Sequence, residues 1–98
     1  MKYPYRVAYP GNVLDDFEQL CLEANDRGLL AEVAAAADEI HDRLRTAPRE
    51  FGDPCYSLKN TQQDMFVRIV KPLLVHFAVH QTLNIVSVQS ISWFSPQP

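Results

Sequence analysis

The chain has 98 residues, of which 47% are hydrophobic, and its formal net charge is −3 at pH 7. A chain of this length is predicted to form a single domain, residues 1–98, whose one core needs neither a metal nor a disulfide. The negative charge argues against a general nucleic-acid binder, because phosphate contacts need an excess of Lys and Arg on one surface.

The first predicted elements are a short strand and an amphipathic helix. Tyr5–Tyr9 is rich in β-formers and is bounded by Pro4 and Pro10, which predicts a strand near a sheet edge. Asn12 has the residue type of a helix N-cap, and Gly28 suits the left-handed position after a helix C-terminus. The helix between them is predicted to have one apolar face, formed by Val13, Leu14, Phe17, Leu20, Cys21 and Ala24.

A second helix is predicted over Leu29–Arg45, and Pro48 prevents it from continuing. Because only a short glycine-containing turn separates the two helices, they are expected to form an antiparallel hairpin. Four alanines, Ala34–Ala37, are small enough to let the first helix approach closely. The apolar stripe of the second helix is Leu30, Val33, Ala37, Ile40 and Leu44.

The last third of the chain is predicted to be a β-meander that follows a polar connector. Residues 46–64 form this connector, with a short extended piece at Cys55–Leu58. The tail, residues 95–98, is expected to be frayed. The three predicted strands are Met65–Val70, Leu73–His80 and Leu83–Trp93.

The spacing of His76 and His80 raises the question of a metal site. On a helix, imidazoles four residues apart would face one metal ion, whereas on a strand they lie roughly 13 Å from each other. Side chains alternate with period two through Leu73–His80, which predicts a strand. Since zinc–nitrogen bonds are about 2 Å long, a metal ion shared by the two histidines is not expected.

The order of elements predicts an α+β fold, β-α-α-β-β-β, with the helix hairpin packed on one face of a small, mainly antiparallel sheet. The short turns between the last three strands allow only antiparallel hairpins. The residues expected beneath the helices are Leu73, Val75, Phe77 and Val79. The residues expected on the opposite face, which should be more polar and more open to water, are His76, Ala78 and His80.

Two stretches, EIHDRLRTAPREFGDPCYSL and MFVRIVKPLLVHFAVHQTLNIVSV, carry short motifs in a defined order. A leucine ends the helix hairpin, a proline-containing turn and a Gly-x-Pro segment follow, and a Pro-Leu-x-Val sequence opens a strand. From Tyr5 to Val88 this pattern resembles the RelE/ParE superfamily of bacterial toxins. The residues that carry the resemblance are Leu44, Pro48, Gly52, Pro54, Leu58, Pro72, Leu73 and Val75.

The resemblance implies a toxin-like component of a bacterial toxin–antitoxin system. Ribosome-dependent RNases of that superfamily cut mRNA with basic residues on the open face of the sheet, assisted by a C-terminal aromatic residue or histidine. This sequence departs from them, because the positions where those nucleases carry Arg or Tyr read Leu73-Leu74 and Gln89–Phe94. No arginine follows Arg68 and no lysine follows Lys71, so the catalytic set is incomplete.

The candidate catalytic residues are Arg68, His76 and His80, with Lys59 and Lys71 near by. If the hairpin register placed Arg68 beside His76, the cation would stabilise phosphate charge and an imidazole would transfer a proton. The alternative is that all three are solvent-facing strand residues that aid solubility and protect the sheet edge.

Other reactive, aromatic or acidic side chains have simpler explanations than catalysis. Cys21 is expected to pack as a small hydrophobe and Cys55 to lie in a loop, and nothing in the sequence pairs Cys55 with His76 as nucleophile and base. Trp93 and Phe94 are expected to pack against the helices or a partner rather than stack on a ligand. Three carboxylates are assigned to the start of the first helix: Asp15, Asp16 and Glu18.

Two functions remain open. The first is a toxin-like protein that acts on gyrase or on RNA at the ribosome, in which case it would be an mRNA endoribonuclease. The second is a non-catalytic protein-interaction domain on the same scaffold. The expected partner is an antitoxin-like protein or a second copy of the chain.

No cofactor or metal is expected. A membrane partner is not expected either, because no stretch approaches the roughly 20 apolar residues of a membrane span. The N-terminal residues lack the uninterrupted apolar run of a signal peptide, so a cytoplasmic location with reduced thiols is predicted.

Overall fold

A layer of helices packs on one face of a single sheet. The computed structural model describes residues 4–94, so the tail expected to fray at residues 95–98 lies outside the described residues. None of the described helices is long and apolar enough to cross a membrane. In chain order the elements are β1 (Arg6–Ala8), α1 (Gly11–Arg27), α2 (Leu30–Thr46), α3 (Pro48–Phe51), β2 (Asp53–Leu58), β3 (Gln63–Val70), β4 (Leu73–His80) and β5 (Ile85–Trp93).

The strands form one open sheet in the order β1-β5-β4-β3-β2. β1 is parallel to β5, and the other neighbouring pairs are antiparallel. The expected α+β architecture, a helix pair on a mainly antiparallel sheet, is therefore confirmed, with β1 at an edge. The specific RelE/ParE fold stays a prediction.

The expected order β-α-α-β-β-β is wrong in one place, because the predicted connector contains a short helix and a further strand. Pro48 stands at the start of α3, where its missing N–H leaves no hydrogen bond unmade. β2 pairs with β3 as an edge strand, with a bulge between Pro54 and Tyr56, and all its residues are exposed. A strand without a buried face lacks the apolar alternation that identifies strands in a sequence.

α1 and α2 form the predicted hairpin, and Gly28 between them has the predicted left-handed conformation, with φ of 74°. The N-cap predicted at Asn12 is wrong. Pro10 occupies the cap, where its carbonyl accepts the N–H groups of Val13 and Leu14 at 2.9 and 3.1 Å. Because α1 begins before Asn12, none of its acidic residues lies in the first turn. The buried residues of the hairpin are Val13, Leu20, Ala24, Val33, Ala36, Ile40 and Leu44.

β4 lies in the middle of the sheet and supplies the floor of the core. Its predicted strand conformation is confirmed. His76 and His80 are half-buried on the side away from the helices, and Ala78 is fully buried there. The predicted core residues have no exposed surface; they are Leu73, Val75, Phe77 and Val79.

The aromatic end of β5 packs on α1, as expected. The indole N–H of Trp93 donates to the carboxylate of Glu23 at 2.9 Å, and the Arg27 guanidinium lies 4.8 Å from the centre of the indole ring. Cys21 is half-buried and packs against the core, which confirms its predicted role. Cys55 is exposed and lies in β2 rather than in a loop.

Candidate functional site

Arg68 and His76 lie on opposite faces of the sheet. The two-residue turn between β3 and β4 pairs Val70 with Leu73, so Arg68 pairs with Val75. Directly paired residues of antiparallel strands point to the same face, which places the Arg68 side chain on the face covered by the helices. Its guanidinium lies 5.4 Å from the ring centre of Phe51 in α3. The register on which a shared Arg68–His76 site depended is therefore not the one present.

His80 holds the turn that leads from β4 to β5. Its Nδ1 atom accepts hydrogen bonds from the backbone N–H groups of Thr82, at 3.2 Å, and Leu83, at 3.0 Å. This contact fixes which nitrogen carries the proton, because an accepting Nδ1 has none. The imidazole thus caps the turn, and its Nδ1 atom is already hydrogen bonded.

His76 lies near the centre of the sheet and contacts β5. Its Nδ1 atom is 3.1 Å from the hydroxyl oxygen of Ser90, its cross-strand partner, within hydrogen-bonding distance. The two lysines considered with it are exposed at opposite ends of β3: Lys59 precedes this strand and Lys71 follows it. The candidate residues therefore do not converge on one point.

We call the side of the sheet turned away from the helices the open face. Four of its large apolar side chains are exposed: Tyr56 by 60%, Ile69 by 42%, Leu58 by 39% and Ile85 by 38%. The face is more polar than the helix-covered one, as expected, because it carries His76, His80 and the serines of β5. Neighbouring strands also add exposed apolar side chains around the histidines. The register assigns to this face Arg6, Ala8, Asp53, Tyr56, Leu58, Gln63, Met65, Val67, Ile69, Leu74, His76, Ala78, His80, Ile85, Ser87, Ser90 and Ser92.

Charge is confined to the margins of the open face. Arg6 lies on β1 at one edge of the sheet, paired with Ile85, and Asp53 lies on β2 at the other edge. Between these two edges, β3, β4 and β5 place no Lys, Arg, Asp or Glu side chain on this face within residues 4–94. The central strands of this face thus carry no Lys, Arg, Asp or Glu side chain, and they mix apolar residues with serines and the two histidines.

A second candidate site lies on the other side of the sheet. Tyr9, which follows β1, and His41 of α2 stack with ring centres 5.6 Å apart, and the phenol oxygen is hydrogen bonded to His41 Nδ1. Burial lowers the pKa of the His41 imidazole below 6.5, assisted by Arg45 and opposed by Asp38 and Asp42. Burial also raises the pKa of the Tyr9 phenol above 10.0, with Arg45 opposing. Both groups are therefore neutral at pH 7.

Sequence reasoning did not single out His41. The available signal was its spacing, four residues after Ala37 and three before Leu44, which continues the buried stripe of α2. A polar residue on such a stripe needs a partner. Nothing in the sequence indicated that Tyr9, 32 residues earlier, would supply it.

No described group of side chains forms a metal site or a nucleophile–base pair at the positions considered. Within residues 4–94, no three His, Cys, Asp or Glu residues cluster closely enough to hold a metal ion. Cys55 and His76 lie on strands separated by β3, so about 10 Å of sheet lies between their backbones. A thiol at that distance has no base within hydrogen-bonding reach.

Comparison with known proteins identifies no relative of this chain. No protein-family model, no curated protein and no solved structure matches the chain. The resemblance to RelE/ParE toxins therefore stays a prediction from its short motifs.

Proposed function

We propose that this chain is a non-catalytic protein-interaction domain that associates with a second copy of itself through the open face. The observation that supports the proposal is the group of exposed apolar side chains on that face, including Tyr56, Ile69 and Ile85. Tyr56 and Leu58 are neighbours on this face of β2, and exposed apolar patches on soluble domains mark interaction surfaces, because leaving them in water is unfavourable.

The dimensions of the open face match a small dimer interface. β3, β4 and β5 have eight, eight and nine residues. At about 3.4 Å per residue and about 4.8 Å between strands, these strands together with the six residues of β2 and the three of β1 cover roughly 550 Å². Pairing two such faces would bury on the order of 550 Å² of each copy, about 1,100 Å² in total, which is close to the lower bound of standard stable interfaces.

The chemistry of the open face favours an uncharged occupant over an acidic or nucleic-acid partner. A polyanion would need Lys or Arg among the central strands, and the described residues place none there. A second copy presents the same uncharged central strands and the same exposed apolar side chains. Two sheets that pack face to face lie about 10 Å apart, with their side chains interdigitated as in a β-sandwich.

Sedimentation equilibrium of the wild-type chain and two variants tests the proposal. Ile69→Glu places a charge on the open face, whereas Leu22→Glu places one on α1 at an apolar residue that is 59% exposed. The wild type and Leu22→Glu are expected to form dimers, and Ile69→Glu is expected to be monomeric because a buried unpaired charge opposes association. A monomeric wild type, or loss of the dimer in Leu22→Glu alone, would overturn the proposal.

A toxin-like role is the second candidate, favoured by the order of strand, helix hairpin and meander together with the motif residues named above. The placement of Arg68 and His76 on opposite faces counts against nuclease chemistry, which needs charge stabilisation and proton transfer at one phosphate. A toxin of this kind would act by binding, for example to gyrase, and an antitoxin-like protein would be its partner.

Induced expression in a bacterial host separates the candidates, with growth and primer extension as readouts. Growth arrest with mRNA cleavage that is lost in Arg68→Ala and His76→Ala would establish a nuclease and overturn the non-catalytic proposal. Arrest without cleavage would support a toxin that acts by binding. Absence of arrest, combined with a dimer that Ile69→Glu disrupts, supports the interaction domain.

A further inference from the structure

A cavity of about 300 Å³ lies between the helix hairpin and the sheet, on the side opposite the open face. Its floor is formed by Val75, Val88 and Ile91, and its walls include Phe17 of α1 and Ile40 of α2. An engineered apolar cavity of about 150 Å³ binds benzene, and natural ligand pockets begin at roughly 300 Å³. The cavity is therefore large enough for a two-ring aromatic molecule or a short alkyl chain.

The residues around the cavity leave it room for a ligand and open it to solvent. Ala37 lines it from α2 and contributes only a methyl group, so a longer side chain there would project into the space. Leu14, which is 53% exposed, and the exposed Asp38 also line it, so the cavity reaches solvent at the surface of the hairpin. A ligand can therefore enter without separation of the helices from the sheet.

The polar groups at the cavity determine which ligand fits. Tyr9, Asp38 and His41 are its polar lining residues. The hydrogen-bonded Tyr9–His41 pair is neutral at pH 7, and Arg45, whose charge acts on both rings, forms an ion pair with Asp42 at 3.6 Å. The Asp38 carboxylate is therefore the charged group of the lining. A carboxylate beside an apolar space attracts an ammonium and repels another carboxylate. Charge complementarity thus selects an apolar ligand with a positively charged head.

We propose that this cavity is a binding site for a small amphipathic amine. Its ring or alkyl chain fills the space above Val75 and Ile91, and its ammonium group lies beside Asp38.

Three probes that share the two-ring naphthalene group and differ in their head groups test the proposal: 1-naphthylmethylamine, 1-naphthalenemethanol and 1-naphthoate. Calorimetric titration and thermal unfolding are measured with each probe at up to about 1 mM, where weak apolar ligands bind detectably. The amine is expected to bind most tightly and to raise Tm. The alcohol is expected to bind about two- to fivefold more weakly, because an exposed ion pair with Asp38 contributes only that much to affinity. The carboxylate is expected to bind most weakly. Equal binding of amine and carboxylate, or no binding of any probe, would overturn the proposal.

Matched variants locate the bound probe. Ala37→Leu fills the cavity and is expected to abolish binding without lowering Tm, whereas Ala35→Leu, at an exposed position of the same helix, is expected to leave binding unchanged. Asp38→Asn should remove the preference for the amine over the alcohol. Binding that survives in a folded Ala37→Leu protein places the probe elsewhere and refutes the site.

One measurement on the wild type does not depend on the folding of any variant. The ring-proton NMR signals of His41 are expected to shift when 1-naphthylmethylamine is added, because the probe lies beside that imidazole. The signals of His76, on the open face, are expected to stay unchanged. The reverse pattern would contradict binding in this cavity.

Discussion

Replacing Gly52 with alanine is expected to destabilise the fold, although it adds only one methyl group. Gly52 is buried where the chain passes from α3 to β2. A Cβ atom there would lie 2.5 Å from Cζ of Phe77 and 2.8 Å from Cβ of Phe66. Carbon atoms in contact lie about 3.5–4.0 Å apart, so the added atom would overlap both residues by roughly 1 Å.

The surrounding rings cannot move aside easily. Phe77 is fully buried, and its ring stacks on those of Phe66 and Phe51 with centres 5.5 and 6.2 Å apart. Overpacking of this kind costs about 1–3 kcal/mol. The lower entropy of the unfolded alanine variant offsets about 0.4–1 kcal/mol of that cost. The net loss is centred on about 1.3 kcal/mol and reaches about 2.6 kcal/mol, and each kcal/mol lowers the Tm of a domain of this size by about 4–8 °C.

Urea unfolding followed by circular dichroism gives the free energy directly. Gly11→Ala is the matched control, because no atom lies within 4 Å of a Cβ built at that position. The control is expected to be at least as stable as the wild type. A Gly52→Ala protein that matches the control would refute the close packing of α3 on Phe66 and Phe77.

Three further predictions concern local contacts. Asp64 accepts hydrogen bonds from Ser57 at 2.7 Å, Arg49 at 2.7 Å and Gln81 at 3.1 Å, which lower the pKa of its carboxyl from 3.8 to about 2. The stability of the wild type is expected to fall as the pH drops from 3.8 to about 2, and acid-unfolding curves of Asp64→Asn are expected to lack this decline. Since burial lowers the pKa of His41 below 6.5, the folded state loses stability as the pH falls below 6.5, and His41→Gln should remove that part of the pH dependence of Tm. Gly28→Ala is expected to cost about 1 kcal/mol in urea unfolding, because its φ of 74° is unfavourable for alanine; an unchanged midpoint would contradict the left-handed turn.

The sequence predicts the elements with a clear apolar pattern, and these are the elements that pack on the core. β4 alternates through Leu73–His80 because one of its faces is fully buried, and α2 repeats its apolar residues because one stripe packs on the sheet. β2 carries no such pattern, since all its residues are exposed and its register is held by backbone bonds to β3. The start of α1 was misplaced for a related reason: its cap is a backbone carbonyl of Pro10, which no side-chain signature reveals.

The candidate site depended on register and on neighbouring strands, which a single sequence does not determine. A two-residue turn at Lys71-Pro72 places Arg68 opposite Val75, whereas a turn of odd length would move Arg68 to the face of His76. The apolar side chains on the open face come from four strands, including β2, whose Tyr56 lies in the stretch expected only as a short extended piece of the connector. The contact between Tyr9 and His41 likewise depends on tertiary packing.

The most direct test of the open face as an interaction surface is a dilution series of methyl and amide NMR spectra on the wild-type chain. Signals of Met65, Ile69 and Leu74 are expected to shift with protein concentration, because dimer formation covers the open face. Signals of Leu14 and Leu22, exposed on α1, are expected to stay constant. Spectra that do not change with concentration, or changes confined to α1, would contradict the account.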